Sequence, residues 1–172
     1  RANTRPTTLR FALGCLALTT VAVILPMVCA GVFELRTSFL VPISGTVIGN
    51  AMNATALALE RLQSDLRARR DQVEAWLSLG IDPDTATRPS AELSLQAALI
   101  PTMNSLKTTG IVHIPGTMLG MLLGGQSPVK AAEMQWTILV LVFVGALLSA
   151  LVVGHLGRRL FFTELEALDL PG

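Results

Sequence analysis

Residues 136–156 read WTILVLVFVGALLSALVVGHL, without one lysine, arginine, aspartate or glutamate. A helix of that length rises about 30 Å, the thickness of a bilayer's hydrocarbon core. Arg158-Arg159 follow at once, and such a pair marks the cytoplasmic flank of a span. Trp136 begins the run, a side chain favoured at the opposite interface.

Two more long stretches upstream lack charge. No ionisable side chain other than a cysteine lies between Arg10 and Glu34, and none lies between Arg36 and Glu60. Charged residues make up 15% of the chain and mean hydropathy is +0.58; soluble domains carry roughly a quarter charged residues. The fold class expected is therefore an all-α, polytopic transmembrane helix bundle, forming one membrane domain over 1–172. Its spans would be 9–33, 39–59, 93–124 and 136–156, about four crossings with the third helix broken. The net charge of +1 gives nucleic acid no strong attraction. Cys15 and Cys29 both fall in the first run without CxxC spacing, as small apolar fillers do.

Arginines orient the spans. Arg1, Arg5 and Arg10 precede the first, and Arg158-Arg159 follow the last. Both termini then lie inside, an even number of crossings is required, and the polar stretch 60–92 falls in the cytoplasm. That stretch begins as a helix, with Leu62, Leu66, Val73 and Leu77 at heptad-like spacing and opposite charges four apart at Arg61–Asp65, Asp65–Arg69, Arg67–Asp71 and Arg70–Glu74. Gly80 suits the residue after a helix end. Asp82-Pro83 suits an N-cap followed by proline at the first helical position.

Glycine and proline mark the rest. Gly45 and Gly49 form one GxxxG; Gly116, Gly120 and Gly124 form two, a spacing that lets helix backbones approach. Pro101, Gly110, Pro115 and Gly116 interrupt 93–124, a stretch too long for one simple span. Irregular backbone at membrane depth is tolerated inside protein or beside a water-filled cavity, so a transport path is sought here. Asn50, Asn53 and Asn104 could line such a path or hydrogen-bond between helices. Lys107 is either a functional intramembrane cation or one that snorkels or pairs with backbone. His113 is a lone histidine with no second ligand nearby in sequence, so metal ligation stays unassigned and no cofactor is expected.

In the cytoplasmic stretch, Glu74-Ala75-Trp76-Leu77-Ser78-Leu79-Gly80 resembles the ATPase-docking sequence of ABC importer permeases, Glu-Ala-Ala-x3-Gly, with Trp76 departing from the second alanine. The bland alternative is an amphipathic helix on the bilayer surface.

A longer resemblance runs from about 39 to 162. It comprises Ile43, Gly49-Asn50-Ala51-Met52-Asn53-Ala54, Leu59-Glu60-Arg61, Arg69-Arg70-Asp71-Gln72-Val73-Glu74-Ala75 and Leu79-Gly80. Then come Ala98-Leu99-Ile100-Pro101-Thr102-Met103-Asn104-Ser105 and Gly110-Ile111-Val112, Ile114-Pro115-Gly116, Met118 and Gly120. Together these resemble the permease subunits of the iron-export ABC transporter family, which includes the plant membrane half-transporter linked to aluminium tolerance. Lys107 matches plant-type members, and His113 stands where a small residue is usual. Members are longer at the N-terminus by a few helices, so an N-terminally truncated member is expected.

The resemblance implies a non-enzymatic permease for metal-ion, iron-like export in a bacterial inner membrane. Its partners would be a separate ABC ATPase, a second permease copy and lipid. Glu74, Ala75, Trp76, Leu77 and Gly80 would couple it to the ATPase. The sequence has no GxxxxGK[ST]; Gly124-Gly125-Gln126-Ser127-Pro128-Val129-Lys130 lacks the spacing. Gly-x-Ser-x-Gly and His-Glu-x-x-His are also absent, which weakens an intramembrane enzyme. A non-transporting membrane scaffold or assembly protein is the alternative.

Overall fold

The computed structural model describes residues 6–29, 31, 37–109 and 114–157. Among these residues six helices follow in order: α1 (Pro6–Cys29), α2 (Thr37–Ala68), α3 (Arg70–Ser78), α4 (Pro83–Thr108), α5 (Gly116–Leu123) and α6 (Pro128–Leu156). Helix α6 is the hub and packs against α1, α2, α4 and α5.

Three apolar clusters stack along the bundle. At one end Val23 of α1, Ile43 and Val47 of α2, and Ile138, Leu141 and Val142 of α6 meet. In the middle, Ala54 and Ala58 of α2, Ala98 of α4, and Ala146, Ala150 and Val153 of α6 meet. Side chains this small let three backbones approach closely, the usual device where lipid removes any hydrophobic drive to associate. The third cluster joins Leu62 and Leu66 of α2, Val73 of α3 and Ala86 of α4, with Trp76, Leu77 and Ile81 against it. It lies beyond the end of α6, since a Cβ on Gly157 would approach Leu59 and Leu62 at 3.6 and 3.7 Å. The molecule is thus a helical bundle topped by a polar head of α2, α3 and α4.

The expectation of about four crossings is overturned. Among the described residues two helical segments are long and apolar enough to cross a membrane, Arg10–Cys29 and Pro128–Leu156. Helix α2 is 32 residues long, yet Ser44, Thr46, Asn50, Asn53 and Thr55 dilute its uncharged part. Charge-free length and apolarity are different quantities, and the count of four used the first. Helix α4 begins in the polar head at Pro83. Helix α5 has 8 residues, about 12 Å of rise against a core of about 30 Å.

Of the two places where the third segment is expected to break, helix stops at the second, between Thr108 and Gly116, and continues through the first, Pro101. Helix α4 runs through both Pro89 and Pro101 to Thr108. Thr109 then turns extended at φ −65°, ψ 130°, and α5 restarts after Pro115. A proline inside a helix loses one hydrogen bond, and here the helix continues past it. Residues 110–113, with Gly110 and His113, lie outside the described residues, as do Arg1, Arg5 and Arg158-Arg159.

Candidate functional site: a polar head and its tip

The head is shaped by local chemistry legible in its residues. Helix α3 closes with Gly80 N–H donating to the Leu77 carbonyl at 3.0 Å and Ile81 N–H to the Trp76 carbonyl at 3.1 Å. Gly80 takes φ +82°, a conformation costly for any residue with a Cβ. Asp82 then caps α4, accepting from Thr85 N–H at 3.0 Å, with Pro83 at the first helical position. Hydrogen bonding from Thr85 holds the Asp82 carboxyl below its ordinary pKa. Ion pairs four residues apart run along the surface: Arg69–Asp65 at 3.2 Å, Arg70–Glu74 at 2.7 Å and Arg88–Glu92 at 3.0 Å. The Arg70–Glu74 bond raises the Arg70 pKa further.

The expected coupling residues separate into two groups. Trp76 and Leu77 are half-buried and lie against the Leu62–Leu66–Val73 cluster. Glu74, Ala75 and Gly80 are exposed, with Glu74 held by Arg70. The most prominent apolar side chain of the tip is one that sequence reasoning passed over, Leu79, 78% exposed. Its signal was its place directly before Gly80, where the chain leaves α3.

Two concavities flank the head. A groove of about 340 Å³ is lined by Trp76, Ile81, Thr85, Arg88, Pro89 and Glu92. A cleft of about 420 Å³ lies between α4 and the end of α6, with Asp84, Arg88, Glu92 and His155 at its polar rim and Leu95, Leu151 and Gly154 among its walls.

The candidate path residues are scattered over the outside of the bundle. Asn53, Asn104 and Lys107 are exposed; Asn50 is half-buried, its amide donating to the Thr46 carbonyl at 2.9 Å. Pro101 is exposed and Pro115 half-buried. Among the described residues a Cβ on Gly45, Gly49, Gly116 or Gly120 would meet nothing within 4 Å; one on Gly124 would meet its own helix's Gly120 carbonyl at 3.3 Å. These faces are open among the described residues. The tight positions fall instead on α6, where a Cβ on Gly145 would come 3.3 Å from Val47 Cγ1 and one on Gly154 3.6 Å from the Ala91 carbonyl. The signal was present in two small-residue series four apart, Gly145 and Ser149, then Ala146, Ala150 and Gly154. Among the described residues no three His, Cys, Asp or Glu side chains gather as a metal site.

The model of UPF0014, an uncharacterised protein family, matches residues 1–162. The chain is 33% identical over 138 residues to Protein ALUMINUM SENSITIVE 3 of Arabidopsis thaliana, covering 80% of this chain and 50% of that protein. It is 33% identical over 132 residues to the UPF0014 membrane protein YjkA of Bacillus subtilis, covering 77% and 53%. To the Probable iron export permease protein FetB of Escherichia coli it is 34% identical over 138 residues, covering 80% and 53%. The chain spans about half the length of these curated relatives. No solved structure matches. Two helices of spanning length and apolarity, in a chain similar to proteins described as membrane proteins, make this an integral membrane protein.

Proposed function

Because this chain belongs to the UPF0014 family, we propose that it is a permease subunit of an ABC transporter that exports a metal ion, with iron as the leading cargo. The observation that carries this reading is the head. Its three-helix tip is built on α2 and α4, the same helices that enter the alanine-lined core beside α6. A contact at the tip therefore reaches the bundle through continuous helix. The similarity to a relative whose name includes iron export and permease supports the substrate and the direction. On this reading ATP binding and hydrolysis belong to a partner chain.

On this reading the membrane is a bacterial inner membrane and the permease works as a pair. The open faces of Gly45, Gly49, Gly116 and Gly120 suit helices of a second copy. Asn53, Asn104 and Lys107, exposed here, would then be shielded from lipid and available to a hydrated cargo.

The test is co-purification of the full-length permease with the ATPase encoded beside its gene, followed by hydrolysis assays across Fe²⁺, Mn²⁺, Zn²⁺ and Al³⁺. Association and stimulation by Fe²⁺ above the other ions are expected. An ATPase that neither associates nor responds to any of the ions would overturn the reading.

A further inference from the structure

The cleft between α4 and the head end of α6 carries its chemistry in layers. Asp84, Arg88 and Leu95 line it along α4, and His155 and Leu151 line it along α6. Asp84 stands about 6 Å above Arg88 along the helix axis, and Leu95 about 10 Å below it. Gly154 is level with Ala91, since a Cβ there would come 3.6 Å from the Ala91 carbonyl, which sets His155 beside the Arg88–Glu92 turn. From the head downward the order is therefore carboxylate, then guanidinium with imidazole, then leucine on both walls.

This layering falls at the boundary of the bilayer. His155 lies in the last turn of α6, a helix of spanning length and apolarity. The head begins just beyond, where Gly157 lies beside Leu59 and Leu62. Leu151 is 45% exposed, so the lower end of the cleft opens toward acyl chains.

Charge selects the occupant. Among the described residues of the cleft, Asp84 and Glu92 stand against Arg88. That leaves one net negative charge with the imidazole neutral and none with it protonated, so an anionic headgroup gains nothing there. Arg88 gives its Nε–H to Glu92 at 3.0 Å, and a guanidinium has further donors suited to phosphate. A carboxylate such as Asp84 accepts from more than one donor. Quaternary ammonium groups are recognised by aromatic faces, and none of the described lining residues is Trp, Tyr or Phe.

We propose that the cleft holds a phospholipid whose headgroup ends in a primary ammonium, phosphatidylethanolamine, from the leaflet on the head's side. Its phosphate lies at Arg88 and His155, its ammonium reaches up to Asp84, and its acyl chains leave past Leu95 and Leu151. A volume of about 420 Å³ takes the headgroup and glycerol and leaves the chains in the bilayer. The lipid bridges α4 and α6 where the head meets the span, so it braces one against the other. The inference needs the membrane placement of the chain and not the permease reading.

Native mass spectrometry of the purified full-length protein in a delipidating detergent tests it. Phosphatidylethanolamine, phosphatidylcholine and phosphatidylglycerol with matched acyl chains are added at equal concentration. The wild type should retain phosphatidylethanolamine about tenfold more tightly than either of the others. Asp84→Asn should abolish that preference over phosphatidylcholine, with the unfolding midpoint of the lipid-free protein kept, an effect that a merely structural aspartate would not give. Arg88→Gln should weaken retention of both zwitterionic lipids alike. Arg70→Gln, which removes the arginine of a comparable surface pair on α3, should leave both at wild-type level. Glycerophosphoethanolamine, the headgroup without chains, should not displace the lipid at equal concentration. Equal retention of the three lipids by the wild type, or tighter retention of phosphatidylglycerol, overturns the inference. So does a preference for phosphatidylethanolamine that persists in both Asp84→Asn and Arg88→Gln. Displacement by glycerophosphoethanolamine makes a soluble phosphate ester the occupant and overturns it as well.

Discussion

The Ser149 hydroxyl donates to the Thr19 hydroxyl at 3.2 Å, and both residues are buried, tying α6 to α1 across 130 positions of sequence. These are the two helices of membrane-spanning length and apolarity, so the bond joins span to span. Thr19→Val and Ser149→Ala should each destabilise the pair modestly. In a double-mutant cycle their coupling should be about 0.6 kcal/mol, the size found for hydrogen bonds between membrane helices. Unfolding in mixed detergent micelles measures it, and strictly additive effects would show the bond contributes nothing.

Gly145 and Gly154 should be intolerant of size while Gly120 tolerates it. A Cβ on Gly145 would already sit 3.3 Å from Val47 Cγ1, and one on Gly154 3.6 Å from the Ala91 carbonyl, whereas Gly120 faces open space. Gly145→Leu and Gly154→Leu should overpack the bundle at a cost of about 1–3 kcal/mol each. Gly120→Leu should leave the folded yield of the single chain at wild-type level. A fluorescence size-exclusion profile reports all three, and an unaffected Gly145→Leu would contradict the packing described.

Trp76→Ala should loosen the head by about 2 kcal/mol through lost burial against the Leu62–Leu66–Val73 cluster. Limited proteolysis should then cut faster near the turn at Gly80. Unchanged protease resistance together with lost ATPase binding would move Trp76 into the interface itself.

Asp82 gives the head a dependence on acid. Its carboxyl is held below the ordinary value by hydrogen bonding from Thr85. A depressed folded pKa means the cap contributes fully above the unfolded aspartate value, about 4. That contribution fades as pH falls through the folded value. Amide exchange at Thr85 and Ala86, corrected for intrinsic rates, should accelerate at the acid end. Asp82→Asn keeps a capping oxygen without the titration, so its profile should be flat. Parallel profiles in the two proteins would remove the cap as the cause.

What the sequence made legible was local. The Gly80 turn, the Asp82-Pro83 start and the Arg70–Glu74 pair each depend on residues within four positions of one another. The number of candidate spans was misread because the uncharged stretch of α2 looks like membrane helix until its serine, threonine and asparagine content is weighed. Pro101 read as a break because proline always loses a bond, whereas the helix around it decides whether a break follows. Leu79 and Trp76 are three apart at the end of one helix, and which of them turns inward depends on where α4 packs, a long-range fact. The tight glycines of α6 left one signal, their four-residue spacing from Ser149 and Ala150, inside a run apolar on every side.

Helix α2 has a further consequence for motion. It is 32 residues of unbroken helix with its one proline, Pro42, near the start, and it is about 48 Å long. Val47 packs in the cluster with α6 and lies where a Cβ on Gly145 would come within 3.3 Å, a natural fulcrum. Leu66, nineteen residues on, lies about 28 Å along the arm. A tilt of about 5° at the fulcrum therefore carries the head about 2–3 Å sideways. The same geometry run backwards turns a push of atomic size at the tip into a small rotation of the whole rod, with no joint between to absorb it.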